Sequence, residues 1–155
     1  MILIRPAGVV SASPVPGVEL RPLSADDAAS LGRLYFEAYD PGVASATEAE
    51  ALEDIHRTFD GEYGVLDTTL SRLAWRGDEL VGALLVVERA PWPDTPDCRF
   101  VIELFTARNH RRSGIAKLLL AECSAVEVAL RVQETNAPAL ALYRSVGFQP
   151  GLTAG

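Results

Sequence analysis

The residues best suited to chemistry form a basic turn, Arg-Arg-Ser-Gly at positions 111–114. The apolar and aromatic segment 100–105 before it is typical of a strand. Apolar residues recur at helical spacing from Ile115 onward, so a helix should begin near Gly114. A strand that enters a helix through such a turn points free backbone N–H groups and a partial positive charge at one place. We therefore predict an anion site sized for a phosphate or pyrophosphate, where Gly114 leaves room for the ligand.

The turn matches neither of two common phosphate-binding motifs. A P-loop would continue into Gly-Lys-Ser/Thr, which is absent here. A dinucleotide fingerprint needs further glycines where this turn has only Gly114. The pattern is instead Arg-x-x-Gly-x-Ala, from Arg111 to Ala116. A basic turn on a solvated surface would have the same composition, so this hexapeptide needs a second signal.

That second signal lies at positions 136–148, Asn-Ala-Pro-Ala-Leu-Ala-Leu-Tyr-Arg-Ser-Val-Gly-Phe. Together the two segments resemble the GCN5-related N-acetyltransferases (GNAT), a large family that uses acetyl-CoA. The first segment is similar to the pyrophosphate loop of that family. The second meets every defined position of the family signature Asn-x-x-Ala-x-x-x-Tyr-x-x-x-Gly-Phe, and it follows one helix and one strand later. The resemblance covers roughly residues 18–150.

The resemblance implies an α/β fold with a mixed, mostly antiparallel central sheet, whose fourth and fifth strands splay apart, and helices on both faces. Acetyl-CoA would enter that gap as co-substrate, with its pyrophosphate on the backbone amides of residues 112–116. Its acetyl end would lie beside residues 104–106, where a strand bulge would free an N–H to polarise the thioester carbonyl. No metal is expected. The residues expected to contact the cofactor are Leu104, Phe105, Thr106, Arg111, Arg112, Ser113, Gly114, Ile115, Ala116, Lys117 and Asn136.

The same resemblance implies direct attack of an amine on the thioester, assisted by two side chains. Tyr143 would act as general acid toward the departing CoA thiolate, although a core aromatic that packs the sheet would occupy the same helix face.

Glu103 would take the proton of the amine. Strand alternation puts Glu103 on the opposite face from Leu104, so a bulge decides whether it faces the substrate. Some family members place the carboxylate base on the fifth strand instead. Arg131 stands at that position here, so this alternative fails. Weaker candidates for the base are Glu88, Glu134, His56 and His110.

The elements that carry these residues follow from periodicity and capping. In order, the pattern predicts a strand at 18–23, helices at 24–39 and 47–59, a hairpin at 71–75 and 79–88, a strand at 126–132, a helix at 136–147 and a short strand from Phe148. Residues 2–4 could form another strand, and the proline-rich segment 6–17 is typical of a loop. We therefore expect a lead-in over residues 1–17 and the acetyltransferase domain over 18–155.

The end of the chain departs from the family pattern. Typical members continue beyond Gly-Phe into one further strand, whereas only residues 149–155 follow here. An unpaired sheet edge is a liability. We expect this edge to be covered by the strand at 2–4, or by an element of a second subunit in a homodimer.

Composition narrows the possible partners. The net charge of -7 argues against a nucleic-acid binder and suits a cationic partner such as an amine. Cys98 and Cys123 lack metal-ligand spacing and are typical of free thiols in a reducing cytosol. No apolar run approaches the ~20 residues that cross a membrane, and the first residues do not form a secretory signal. We expect a cytoplasmic protein that binds neither nucleic acid nor membranes.

The sequence therefore predicts an acetyl-CoA-dependent N-acetyltransferase with a small-molecule or peptide amine as acceptor. The acidic face of the second helix, at 48–54, is either a solvated surface or a wall that attracts the amine. The alternative function is a non-catalytic acyl-CoA-binding sensor or assembly module. Two features favour that module: the chain lacks the further strand of typical members, and several residues compete for the role of base. The presence of Tyr143 favours the enzyme. Transfer of a longer acyl chain is a third possibility, which depends on the space beside Phe105.

Overall fold

Seven strands form one open sheet with α-helices on both of its faces in the computed structural model, which describes residues 1–151. The strands of this region are β1 (Ile2–Arg5), β2 (Glu19–Pro22), β3 (Arg72–Arg76), β4 (Glu79–Val87), β5 (Arg99–Thr106), β6 (Val128–Arg131) and β7 (Gln149–Pro150). The helices are α1 (Ala28–Ala38), α2 (Glu48–Phe59), α3 (Ile115–Ala121) and α4 (Ala137–Ser145), with short 3-10 turns at Ala25–Asp27 and Arg108–His110.

The sheet opens between β5 and β6. The strand order is β2-β3-β4-β5-β6-β1-β7, and β5 with β6 is the one parallel pair in the described part of the chain. Their pairing is confined to Arg99–Val101 of β5 and Val128–Leu130 of β6. From residue 102 to residue 106, β5 continues along β4 alone. If strands are counted from residue 18, β5 and β6 are the fourth and fifth strands. Their divergence therefore confirms the predicted splay.

Apolar clusters cover both faces of the sheet. On one face, Leu31 of α1 and Ile55 of α2 are buried against β3, β4 and β5. On the other, Ile115 and Leu119 of α3 share a cluster with Leu140 of α4. Burial of apolar surface is the main stabilising term, at roughly 25 cal/mol per Å². The predicted placement of helices on both faces is therefore confirmed, and each face of the sheet has its own pair of helices.

The amino-terminal strand β1 lies inside the sheet, between β6 and β7. It pairs antiparallel with all of β6 and, through Leu3 and Ile4, with β7. Leu3 is completely buried, and Arg5 keeps only 2% of its surface exposed. The chain thus covers the edge of β6 with its own first strand, as the first version of the edge hypothesis predicted.

Several element bounds differ by one to four residues from the sequence-based expectation, most clearly in β6 and in α1. The strand predicted at 126–132 is shorter and spans Val128–Arg131, the residues that pair with the four residues of β1. Helix α1 begins at Ala28, after a 3-10 turn at Ala25–Asp27. The Ser24 hydroxyl accepts a hydrogen bond from the Asp26 N–H at 3.2 Å and so caps that turn.

Candidate active site

The basic turn leads directly into α3, with Gly114 as the residue before the first helical turn. Gly114 has φ 91° and Arg112 has φ 62°, so both lie in the left-handed region. That conformation costs a non-glycine residue such as Arg112 roughly 1–2 kcal/mol. Within residues 1–151, none of the backbone amides from Arg112 to Lys117 donates a hydrogen bond to a protein acceptor. Successive free N–H groups of this kind form an anion-binding concavity.

A glycine in β4 determines how closely the basic turn approaches the sheet. A Cβ atom added at Gly82 would lie 2.8 Å from Ile115 Cγ2 and 3.3 Å from Leu119 Cδ1. Ile115, the first residue of α3, is almost completely buried at 1% exposure. The missing side chain at Gly82 thus lets the start of α3 rest directly on β4.

The cationic side chains around the turn divide into two groups. The Arg111 guanidinium donates to the carbonyl oxygen of the last residue of α1, and Arg108 donates to the carbonyl oxygen of Tyr39 at 2.7 Å. Both charges therefore stabilise the C-terminal end of α1, where a helix carries partial negative charge. Arg112 and Lys117 are exposed on the outer side of the turn. Arg111 thus supports the turn from behind, because its side chain joins the turn to the end of α1.

A groove runs from the basic turn into the opening of the sheet. It consists of an outer part of about 840 Å³ and an inner part of about 270 Å³, which share several lining residues, including Thr106 and Ala116. The turn at 110–117 lines the outer part, and Leu104 with Asn136 lines the inner part. The structure brings together in this one groove every residue that the sequence analysis expected to contact the cofactor.

Tyr143 lines the inner part of the groove from α4. Its ring packs edge-on against Phe148, with the ring centroids 5.9 Å apart. Burial raises the pKa of the Tyr143 hydroxyl, and the charge of Glu103 raises it further. The hydroxyl therefore stays protonated at neutral pH, as a proton donor must. Tyr143 is at once a packed aromatic and a wall of the groove.

Asn136 begins α4 and also lines the inner groove. Its side-chain oxygen accepts a hydrogen bond from the Ala139 N–H at 3.2 Å, which is the geometry of an N-cap. Asn136 is therefore the N-cap of α4. Because the oxygen is engaged with the helix, the cap fixes the position of the first turn of α4.

A β-bulge in β5 determines where Glu103 points. The pairing between β4 and β5 skips Ile102, so that Ile102 is the extra residue of the bulge. The prediction of a bulge beside residues 104–106 was wrong, because residues 103–106 pair with β4 without interruption. The Glu103 carboxylate meets the C-terminal end of α1, where the Tyr39 hydroxyl donates to its Oε2 at 3.2 Å. Burial raises the pKa of Glu103 to about 7, and the hydrogen bond from Tyr39 counteracts part of that effect. A carboxyl group with this pKa can accept a proton near neutral pH.

A cluster of tyrosine hydroxyls and carboxylates continues from Glu103 toward α2, and the sequence analysis missed it. The rings of Tyr35 and Tyr39 pack edge-on, with centroids 5.5 Å apart. Burial raises the pKa of the Tyr35 hydroxyl, and the charges of Glu103 and Asp54 raise it further. Asp54 accepts a hydrogen bond from the Tyr63 hydroxyl at 2.5 Å. The available signal was a pair of tyrosines four residues apart, the first on α1 and the second directly after it.

The other candidate bases lie elsewhere. Glu88 and Glu134 are exposed and do not line the groove. Arg131 forms a two-bond ion pair with an aspartate, at 2.8 Å and 2.9 Å. His110 lines the outer groove beside the basic turn, and His56 is exposed on α2. Of the carboxylates that the sequence analysis considered as the base, Glu103 is the one that reaches the groove through a hydrogen-bonded neighbour.

Three further properties bear on the site. Among the described residues, no group of three or more His, Cys, Asp or Glu side chains could hold a metal ion. No helix in residues 1–151 has both the length and the apolar character to cross a membrane. Cys98 and Cys123 are free thiols, and burial raises the pKa of both. They take no part in the groove.

An open mixed sheet, with a groove between diverging strands and a turn of free amides at its mouth, defines the class of N-acetyltransferase folds. The family model described as acetyltransferase (GNAT) family matches residues 28–148 of this chain. The chain therefore belongs to that family, which confirms the resemblance carried by the two sequence motifs.

Solved structures share this fold at low sequence identity. An aminoglycoside antibiotic 6'-N-acetyltransferase, AAC(6')-IG from Acinetobacter haemolyticus, is 23% identical with a TM-score of 0.63, over 88% of this chain and 94% of its own. A Pyrococcus horikoshii protein reaches a TM-score of 0.68 at 18% identity, over 89% and 92%. The PaiA N-acetyltransferase of Thermoplasma acidophilum, in complex with coenzyme A, has a TM-score of 0.61 at 19% identity, over 89% and 93%. A search among curated protein sequences finds no match.

Proposed function

We propose that this chain is an N-acetyltransferase that moves an acetyl group from acetyl-CoA to a primary amine. One observation carries the proposal: a single groove begins at the free amides of residues 112–117 and ends at the half-buried side chain of Tyr143. Membership of the GNAT family supports the reaction type. The coenzyme A bound to the PaiA neighbour supports the choice of co-substrate.

The turn holds the pyrophosphate of acetyl-CoA through its backbone. The free amides donate to the phosphate oxygens, and the exposed Arg112 and Lys117 add charge at the mouth of the groove. Deeper in, β5 has an unpaired edge where β6 diverges, so its backbone groups near Leu104 and Thr106 are available to the pantetheine arm. Ala139 and Leu142 provide an apolar wall on the α4 side.

The reaction needs two proton transfers and one acyl transfer. The lone pair of the amine attacks the thioester carbonyl, a C–N bond forms, and the C–S bond breaks. A backbone N–H at the free edge of β5 stabilises the negative charge that develops on the carbonyl oxygen. The Tyr143 hydroxyl then donates its proton to the departing thiolate.

Glu103 is the base in this scheme. A lysine-like ammonium group has a pKa of about 10 and cannot attack until it has lost a proton. The pKa of Glu103, raised by burial to about 7, leaves a carboxylate available at and above neutral pH. Its bond to Tyr39 connects it to the inner groove, which Tyr39 lines.

The acceptor is a small molecule or a peptide that carries a primary amine. The aminoglycoside acetyltransferases among the structural neighbours support a small-molecule amine as acceptor. The acidic side chains of α2, including Glu50 and Asp54, provide a negative surface near the acceptor side. Such a surface raises the local concentration of a cation.

The test is a CoA-release assay with acetyl-CoA and a panel of amines, together with calorimetry of acetyl-CoA binding. The panel contains aminoglycosides, diamines, peptide N-termini and lysine peptides. We expect binding heat and acceptor-stimulated release of CoA. Binding without release for every amine would favour the non-catalytic acyl-CoA module, and the absence of binding heat would refute both functions.

Two glycine variants make the binding test specific to the turn. Gly114→Ala and Gly77→Ala both place a side chain on a residue with positive φ, 91° and 60°, a conformation that L side chains rarely adopt. Gly77 lies in the turn between β3 and β4, where a Cβ atom meets nothing within 4 Å. We expect Gly114→Ala to weaken acetyl-CoA binding and Gly77→Ala to leave it unchanged. Equal affinities for the two variants would contradict the assigned phosphate site.

A further inference from the structure

The base assigned above does not itself line the groove. The inner groove is bordered by Tyr39 and Tyr143, whereas Glu103 lies behind Tyr39. The Tyr39 hydroxyl donates to Glu103 Oε2 at 3.2 Å. An amine that occupies the inner groove therefore meets a phenol oxygen before it meets the carboxylate.

We propose that Tyr39 is a catalytic residue that relays the proton of the amine to Glu103, an inference that rests on the proposed N-acetyltransferase function. The ammonium group donates one proton to the Tyr39 oxygen while the Tyr39 hydroxyl proton moves to Glu103 Oε2. One N–H bond and one O–H bond break, and two O–H bonds form. The amine becomes neutral, Tyr39 is a phenol again, and Glu103 carries the proton.

The position of the Tyr39 hydroxyl is fixed from several sides. Tyr39 directly follows the last residue of α1 and has an extended backbone, with φ -98° and ψ 160°. Its carbonyl oxygen accepts the bond from Arg108 at 2.7 Å. Its ring packs against Tyr35 and Phe105, with centroids 5.5 Å and 6.3 Å away. A relay needs this rigidity, because proton transfer requires hydrogen-bond distances at both ends.

The surroundings of Glu103 favour a relay rather than direct contact with solvent. The ionisable groups that face it are Tyr35 and Tyr39 from α1, Asp54 from α2 and Tyr143 from α4. None of these groups is a cation, so no neighbour neutralises the carboxylate. Burial raises the pKa of Glu103 to about 7, and Asp54 adds to the rise, whereas the Tyr39 hydrogen bond lowers it. The hydroxyl of Tyr39 thus both stabilises the carboxylate and connects it to the groove.

Tyr39→Phe tests the relay, because it removes the hydroxyl and keeps the ring packing. We expect kcat with the best amine of the panel to fall by roughly 10²-fold, the contribution typical of a positioned acid or base. Acetyl-CoA affinity should stay within about threefold of wild type, which shows that the groove is intact. Thr95→Val is the control. It removes a hydroxyl that donates to the carbonyl oxygen of Trp92 at 2.6 Å, and Thr95 lines neither part of the groove, so we expect turnover within about threefold of wild type.

The pH profile separates the relay from a structural effect. In wild type, kcat/KM should rise with pH through the pKa of Glu103, which is about 7, and then level off. In Tyr39→Phe, only free amine can react, so kcat/KM should continue to rise toward an amine pKa of about 10. A lower profile of unchanged shape would overturn the relay.

The outcomes also separate the relay from the function on which it rests. Full turnover in Tyr39→Phe, with a large loss in Glu103→Gln, would overturn the relay and leave Glu103 as a base that acts by another route. Full turnover in both variants would overturn the base assignment as well. If wild type shows no turnover with any amine, the proposed function fails, and the relay fails with it.

Discussion

Replacing Arg5 with methionine should destabilise the protein, because the guanidinium joins β1 to the ends of two helices. Arg5 is 2% exposed and donates to the carbonyl oxygens of Leu120, near the end of α3, at 2.8 Å and of Val146, after α4, at 3.2 Å. It also lies over the ring of Phe148, 4.8 Å from the centroid. Methionine fills much of the same volume but donates no hydrogen bond.

The expected loss can be worked out from these contacts. Each bond from a charged donor to a buried carbonyl contributes roughly 1.5–3 kcal/mol, and the contact with Phe148 adds about 1–2 kcal/mol. One term has the opposite sign: Arg5 Nε is buried without a partner in the described part of the chain, and its removal returns about 1–3 kcal/mol. The balance is a loss of about 4 kcal/mol in the free energy of unfolding. Because small domains have about 5–15 kcal/mol in total, Arg5→Met should remain folded.

Urea unfolding, followed by circular dichroism, measures this loss. The control is Arg33→Met, which removes the same side chain from an exposed ion pair with Glu48, where the Arg33 side chain is 68% exposed. We expect the control to lose less than about 1 kcal/mol. A loss for Arg5→Met as small as that of the control would refute the reasoning. The burial of Leu3 and its neighbours would then hold β1 in the sheet without help from the guanidinium.

Three other predictions concern the groove. Gly82→Val forces a side chain against Ile115, whose Cγ2 would lie 2.8 Å from the new Cβ. The substitution should cost about 1–3 kcal/mol of stability and weaken acetyl-CoA binding. If calorimetry gives the wild-type affinity for acetyl-CoA, the role of Gly82 in positioning α3 is refuted. Tyr143→Phe should lower kcat by roughly 10²-fold without changing the KM for acetyl-CoA, and equal kcat values across the pH range would exclude the acid role. Folding raises the pKa of Glu103 from 4.5 to about 7, so the folded state binds more protons than the unfolded state in that window, and wild type should lose stability as pH rises through it. Glu103→Gln should remove this loss. The measurement is the change in urea midpoint between about pH 5 and about pH 8, and an equal change in wild type and in Glu103→Gln would contradict the prediction.

The parts of the fold that depend on local patterns could be predicted from the sequence. The helix start at Gly114 follows from one glycine and the apolar spacing after it, and the cap at Asn136 follows from the residue type and the proline two residues later. The buried strand β4 follows from an almost continuous apolar run. Each of these signals acts over a few residues, so the rest of the chain could not reverse it.

The parts that depend on distant pairing could not be predicted in detail. The sequence suggested a strand near residue 3 but could not show that Arg5 would lie buried against carbonyls 115 and 141 residues away. The sequence pattern predicted only that Tyr39 ends a helix. It could not show the hydrogen bond from Tyr39 to Glu103, because the two residues are 64 positions apart. Even the direction of Glu103 depended on a bulge, because one extra residue in a strand exchanges the two faces.

Arg108 and Arg111 explain how such distant parts act as one site. Both belong to the segment that leads into the basic turn, yet their side chains bind the carbonyl oxygens at the end of α1, about 70 residues earlier, where Tyr39 begins the next segment. Arg111, which belongs to the motif that predicted phosphate binding, thus also holds the backbone next to the tyrosine whose hydroxyl contacts Glu103. Because the same segment carries the free amides, these two arginine contacts connect the proposed phosphate site to the backbone at Ala38 and Tyr39. An enzyme that aligns a long cofactor with a small amine needs a constant distance between the two sites, since small displacements of reacting groups have large effects on rate.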